Sequence, residues 1–148
     1  MSHGVEIFPM QRVDLAKVAD LAQQLGYKVS EAELSYRFDS LFEKKDEALF
    51  VAKRHHEVLG WVHVQTIPAA LIMGARAEVH ALVVDEKFRS HGVGRKLLHE
   101  AEKWAGQQGF KTIRLRSNVL REEAKKFYLR EGYDILKIQN TFEKNLSL

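Results

Sequence analysis

At 148 residues, with 45% hydrophobic and 29% charged side chains, the chain is the size of one ordinary domain, and its composition excludes a disordered or fibrous protein. No apolar run approaches the roughly 20 residues of a membrane span, and the lack of cysteine excludes a disulfide framework and a thiol nucleophile. The net charge of +3 is too small to argue for nucleic acid. Its distribution says more: residues 86–126 carry 11 basic and 5 acidic side chains, against 9 and 12 in residues 1–85. A positive centre suits a polyanionic small ligand, and an acidic first half suits a cationic one. Met1-Ser2-His3-Gly4 lacks the charged and then apolar pattern of an export signal, so a cytoplasmic location is expected.

Val5 to Pro9 reads as a first strand. From Asp14, Leu15, Val18, Ala19, Ala22 and Leu25 share one helical face that stops at Gly26. Ser30-Glu31-Ala32-Glu33 has capping-box spacing and opens a second helix, with Leu34, Phe38, Leu41 and Phe42, running to about Lys45. Leu49–Ala52 and Val58–Ile67 are β-type runs joined by a polar turn at Lys53–Glu57, which reads as a hairpin. Pro68–Arg76 is a connector carrying Leu71, Ile72 and Met73. Val79–Val84 is a strand, after which Val93, Leu97, Leu98, Ala101 and Trp104 recur at helical spacing in a helix that ends near Gly109. Lys111–Ser117 alternates as a strand, with Ile113 and Leu115 on one face and Arg114 and Arg116 on the other. Arg121–Glu131 is a further helix stopped by Gly132, and Tyr133–Leu146 reads as two last strands turning near Asn140. No repeat or linker interrupts the series, so a single mixed α/β domain over 1–148 is expected.

The centre of the chain is the strand and glycine loop of Ala77 to Leu98. Gly92 and Gly94 let a backbone approach a ligand closely, and the first N–H groups of the following helix point at whatever anion lies there. Spacing separates the candidate chemistries. A P-loop needs Gly-x4-Gly-Lys-Ser/Thr, which is absent, and the dinucleotide fingerprint needs a third glycine where Leu97 stands. The remaining string, Arg89-Ser90-His91-Gly92-Val93-Gly94, is similar to the Arg/Gln-x-x-Gly-x-Gly/Ala signature of the GCN5-related N-acetyltransferases. Leu82-Val83-Val84-Asp85 before it, and Arg116-Ser117-Asn118 and Ala124 to Tyr133 after it, resemble that family in order and distance.

The resemblance implies a GNAT fold: a central, mostly antiparallel sheet of about six or seven strands with about four flanking helices, splayed at the site of acetyl-coenzyme A. It implies that the pantetheine arm lies along Leu82, Val83 and Val84, with N–H groups near Leu82 and Val83 as oxyanion donors. The pyrophosphate falls to the backbone of Ser90, His91, Gly92, Val93, Gly94 and Arg95, supported by the charges of Arg89 and Arg95. Asn118 matches a position that bonds the coenzyme arm, and Lys125 and Lys126 either meet the 3′-phosphate or lie on the surface. Tyr128 matches the tyrosine that protonates the departing thiolate, since a phenol of pKa about 10 stays protonated beside a thiol of pKa about 8.5.

Glu78 and His80, two apart on one strand, project to one face near the acyl group; either can serve as the base for the amine, or neither does and they only hydrogen-bond within the sheet. No metal is implied. The expected activity is acetyl transfer from acetyl-CoA to the primary amine of a small cationic molecule, with a protein or peptide amine as a variant. An acyl-CoA-binding regulatory module without transfer is the alternative, and neither nucleic acid nor membrane is an expected partner. The apolar last strands, with Phe142 and Leu146, point to a homodimer.

Overall fold

The computed structural model describes residues 4–147. Met1 to His3, most of the stretch read for an export signal, and Leu148 lie outside the described residues. The chain forms two units, Met1–Arg116 and Ser117–Leu148.

The first unit runs β1 (Glu6–Pro9), α1 (Leu15–Gln24), α2 (Glu31–Phe42), β2 (Glu47–Arg54), β3 (Glu57–Ile67), β4 (Arg76–Val84), α3 (Val93–Gln107) and β5 (Ile113–Leu115), with 3-10 turns at Arg12–Asp14 and Glu86–Phe88. The sheet order is β1-β2-β3-β4-β5. The first four strands pair antiparallel and β5 joins β4 in parallel. Of the antiparallel pairs, β2 and β3 are joined by a tight turn, β1 reaches β2 through α1 and α2, and β3 reaches β4 through residues 68–75, whereas the parallel pair needs the α3 crossover.

Local chemistry explains the element ends. Ser30 Oγ accepts the Glu33 N–H at 3.1 Å and the Ser30 N–H reaches Glu33 Oε1 at 3.3 Å, so the capping box starts α2 as its spacing predicts. The β2–β3 turn is only His55-His56, both left-handed at φ 51° and 70°, the twist that two-residue hairpins require. Leu15, Val18, Leu21, Phe38, Val51 and Val83 form one core with α1 and α2 on a single sheet face. The opposite face packs on α3, where Val93, Leu97, Leu98 and Ala101 are buried. Asp14 is buried where Lys53 Nζ meets it at 2.8 Å and the Gln11 N–H donates to it at 2.8 Å, so its charge is paired.

The second unit holds α4 (Glu122–Arg130), ended by Gly132 at φ 93°. The two strands expected over Tyr133–Leu146 are absent from the described residues, so the sheet has five strands rather than six or seven. Strand order needs a ladder partner for its backbone groups, and alternation of apolar residues supplies none. Ile138 and Phe142 stay largely exposed, at 74% and 89%. Phe42, at the end of α2, is also exposed at 61%.

Candidate active site

The sheet opens along β4. On one edge β4 stays paired with β3 through Val84. On the other it pairs with β5 only at Ala77, Glu78 and Val79, opposite Ile113, Arg114 and Leu115. From His80 onward this edge has no strand partner among the described residues. The register also shifts there: His63 faces Ala81 but Val64 faces Val79, so His80 is the extra residue of a β-bulge.

The free edge presents a defined set of backbone groups. A Cβ on Gly60 of β3 would stand 2.8 Å from the Val83 carbonyl, and the Asp85 N–H donates to the Leu59 carbonyl at 2.8 Å, so both groups turn towards β3. By strand alternation, Leu82 and Val84 turn their N–H and C=O groups to the open edge. Asp85, buried at the strand end, accepts from the Lys87 N–H at 3.1 Å and from Gln24 Nε2 at 3.3 Å, which ties β4 to α1.

The strand leads into the glycine loop. Ser90 at φ 67° and Gly92 at φ 82° are left-handed, and α3 follows at Val93 with no side-chain cap. Successive turns of this kind point backbone N–H groups into a concave anion cradle, to which the helix N-terminus adds its dipole. Gly92 suits that conformation without strain. Val93 is buried and Gly94 half-buried, whereas Arg89, His91 and Arg95 are exposed around the loop. The His91 ring leans edge-on against Phe88 at 6.2 Å, a surface packing role.

A titratable cluster lies on the β4 face that carries Glu78. His63 Nε2 is 2.8 Å from Glu47 Oε1, and its ring meets that of His80 edge-on at 5.1 Å. Lys44 Nζ lies 3.6 Å from the other Glu47 oxygen. Burial pushes the His63 pKa below the usual 6.5; Glu47 pulls it back in part and His80 pushes it further down. A neutral His63 that donates Nε2–H to Glu47 keeps Nδ1 as an acceptor. Sequence reasoning missed Glu47 and His63, because only the β2–β3 register sets Glu47 opposite Gln65, one diagonal from His63.

Glu78 and His80 differ in environment. Glu78 is 2% exposed, with Oε1 2.5 Å from Arg116 Nη1 in an ion pair that lacks hydrogen-bond alignment, while His80 is exposed at the bulge. The depressed His63 pKa has a stability consequence. The unfolded chain takes up the proton first, so the contribution of neutral His63 is present above about pH 6.5 and is lost as pH falls towards the folded-state pKa. Melting temperature is expected to drop between about pH 7.5 and about pH 5.5, and His63→Gln to flatten that slope; an unchanged slope would contradict the assignment.

In the second unit, Tyr128 is half-buried in α4, its ring 5.1 Å from Phe127 and 5.9 Å from Tyr133. Burial raises its pKa above 10, against a smaller opposite pull from Arg121, so the hydroxyl keeps its proton. Asn118 accepts the Leu120 N–H at 2.9 Å on Oδ1 and the Arg121 N–H at 3.0 Å on its carbonyl, forming the turn into α4. Lys125 is exposed, and Lys126 lies 3.6 Å from Glu123. A surface hollow lined by Gln11, Arg12, Phe38, Asp39, Phe42 and Glu43 contains none of the expected site residues.

Comparison with known proteins matches residues 15–133 to the model of the acetyltransferase (GNAT) family. The aminoalkylphosphonate N-acetyltransferase of Salmonella typhimurium is 38% identical over 86 residues, covering 56% of this chain and 54% of that protein. The chain spans about half the length of the curated relatives it matches. In fold it is similar to glucosamine-6-phosphate N-acetyltransferase from Arabidopsis thaliana, with TM-score 0.81 and 21% identity over 95% of this chain and 99% of that one. It is also similar to aminoglycoside N-acetyltransferase AAC(6')-Iy in complex with CoA, with TM-score 0.85 and 15% identity over 95% and 94%.

Proposed function

Because the chain belongs to the acetyltransferase (GNAT) family, we propose that it moves the acetyl group of acetyl-CoA to the primary amine of a small molecule. The observation that carries this reading is the continuity of the open β4 edge with the left-handed loop and uncapped helix start. Leu82 and Val84 offer the backbone groups for a pantetheine arm. Ser90 to Arg95 offer the pyrophosphate cradle, with Arg89 and Arg95 as neighbouring charges. The relatives named above act on small amines by their names, which supports a small-molecule acceptor.

Acetyl transfer to an amine needs a neutral nucleophile, a place for the carbonyl oxygen's developing charge, and a proton for the thiolate. His80 is the group exposed at the bulge, so it takes the proton of the bound ammonium, with His63 and Glu47 holding its ring in place. Glu78, buried against Arg116, is the weaker candidate for that task. The amine nitrogen then bonds to the acetyl carbon while the Leu82 N–H holds the oxygen, and the carbon–sulfur bond breaks. Tyr128 supplies the thiolate's proton, an assignment that rests on its motif and its protonated hydroxyl.

Thiol release from acetyl-CoA across a panel of amines tests the reading, and silence across every amine class would count against it. Tyr128→Phe is expected to lower kcat about 100-fold while the Kd for acetyl-CoA stays within about twofold, since the variant loses a proton donor but no backbone contact. Lost binding with no turnover in either protein would favour a non-catalytic module. The exposed Ile135, Leu136, Ile138 and Phe142 support association as a homodimer.

A further inference from the structure

Three arginines share one sheet face with a single buried carboxylate where β4 and β5 part. Glu78 is buried beside Arg116, yet the Arg116 side chain is 66% exposed, so it can also meet a partner from solvent. Arg114 stands opposite Glu78 in the parallel ladder and shares its face, and Arg76, two residues before Glu78, shares it by alternation. Both are half-buried; among the described residues neither forms an ion pair, and Arg76 Nε is buried with no hydrogen-bond partner. A buried unpaired donor is costly, and guanidinium forks match the oxygens of phosphonates and phosphates better than any other side chain.

Resting on the transfer reading above, we propose that Arg76, Arg114 and Arg116 form an anion subsite for a phosphonate or phosphate on the same small molecule that presents its amine to His80. At about 3.3 Å per residue, Glu78 and His80 are separated by roughly 7 Å along β4. That span admits an acceptor whose amine and anion are joined by a short carbon chain. The ammonium supplies the positive charge that an acidic first half of the chain favours, and the anion accounts for the arginines.

The test compares acetylation of 2-aminoethylphosphonate, ethylamine and 1,4-diaminobutane, and follows the melting temperature with methylphosphonate, which has no amine to acetylate. The phosphonate amine is expected to show kcat/KM about 10- to 100-fold above ethylamine, a preference that collapses in Arg114→Gln and Arg116→Gln. Methylphosphonate is expected to raise the melting temperature of the unaltered protein and not of the variants. Arg114→Gln breaks no ion pair and serves if loss of the Glu78 partner unfolds Arg116→Gln. Equal use of ethylamine or diaminobutane, or undiminished methylphosphonate binding in a folded Arg114→Gln protein, would overturn the subsite while leaving acetyl transfer standing. If no amine is acetylated, the transfer reading fails, and methylphosphonate binding with its loss in Arg114→Gln still decides the subsite.

Discussion

His80→Asn is expected to lower kcat about 100- to 1000-fold near neutral pH, with the KM for acetyl-CoA within about twofold. The amine acceptor arrives as an ammonium and cannot attack until it loses a proton, and His80, the base proposed above, is exposed where the β4 edge opens. The deficit should shrink as pH rises towards the acceptor's own pKa of about 10, because the amine then needs no help. A deficit that is constant across pH would mean that the substitution merely disturbs the bulge. Glu47→Gln is expected to cost less, about 10-fold, and to reshape the pH–rate profile, since Glu47 acts through the 2.8 Å bond to His63 rather than on substrate. Steady-state rates of thiol release between about pH 6 and about pH 10 distinguish these outcomes.

Gly60→Val is expected to destabilise the protein by about 3 kcal/mol or more, which lowers the melting temperature by roughly 6–12 °C in a chain of this size. A Cβ at Gly60 would lie 2.8 Å from the Val83 carbonyl, 3.3 Å from Val84 Cα and 3.1 Å from Leu97 Cδ1. The first two obstacles are backbone and cannot swing aside. Relief therefore requires β4 to move from β3 along the stretch where Leu82 and Val84 face the open edge, so acetyl-CoA affinity should fall together with stability. Gly60→Ala meets the same carbonyl and should show a milder form of both effects. Calorimetric melting and coenzyme titration check the pair, and a Gly60→Val protein as stable as the parent would contradict the close approach.

The left-handed glycine loop and the helix start after it were legible because their requirements are local. Gly92 must be left-handed, the helix must start at once, and both are written in six consecutive residues. The capping box of Ser30 and Glu33 was legible for the same reason, as were the helical faces of Leu15, Val18 and Leu97. The failed strands at Tyr133–Leu146 mark the limit of such reasoning: alternation there is real, but a strand exists only where another backbone completes its hydrogen bonds. Leu21, fully buried, escaped the expected α1 face for a related reason, since the width of the buried stripe depends on what packs against it.

The chain by itself determined the family, the glycine loop before α3, and the nomination of Glu78, His80 and Tyr128, because each of these is carried by residue type at short spacing. Only the tertiary structure separated Glu78 from His80, by burying one against Arg116 and placing the other on a bulge. It also brought Glu47 and His63, 16 and more residues apart in sequence, to His80, and set Arg76, Arg114 and Arg116 on one face. These are consequences of strand register, and register is a property of paired strands rather than of any one of them.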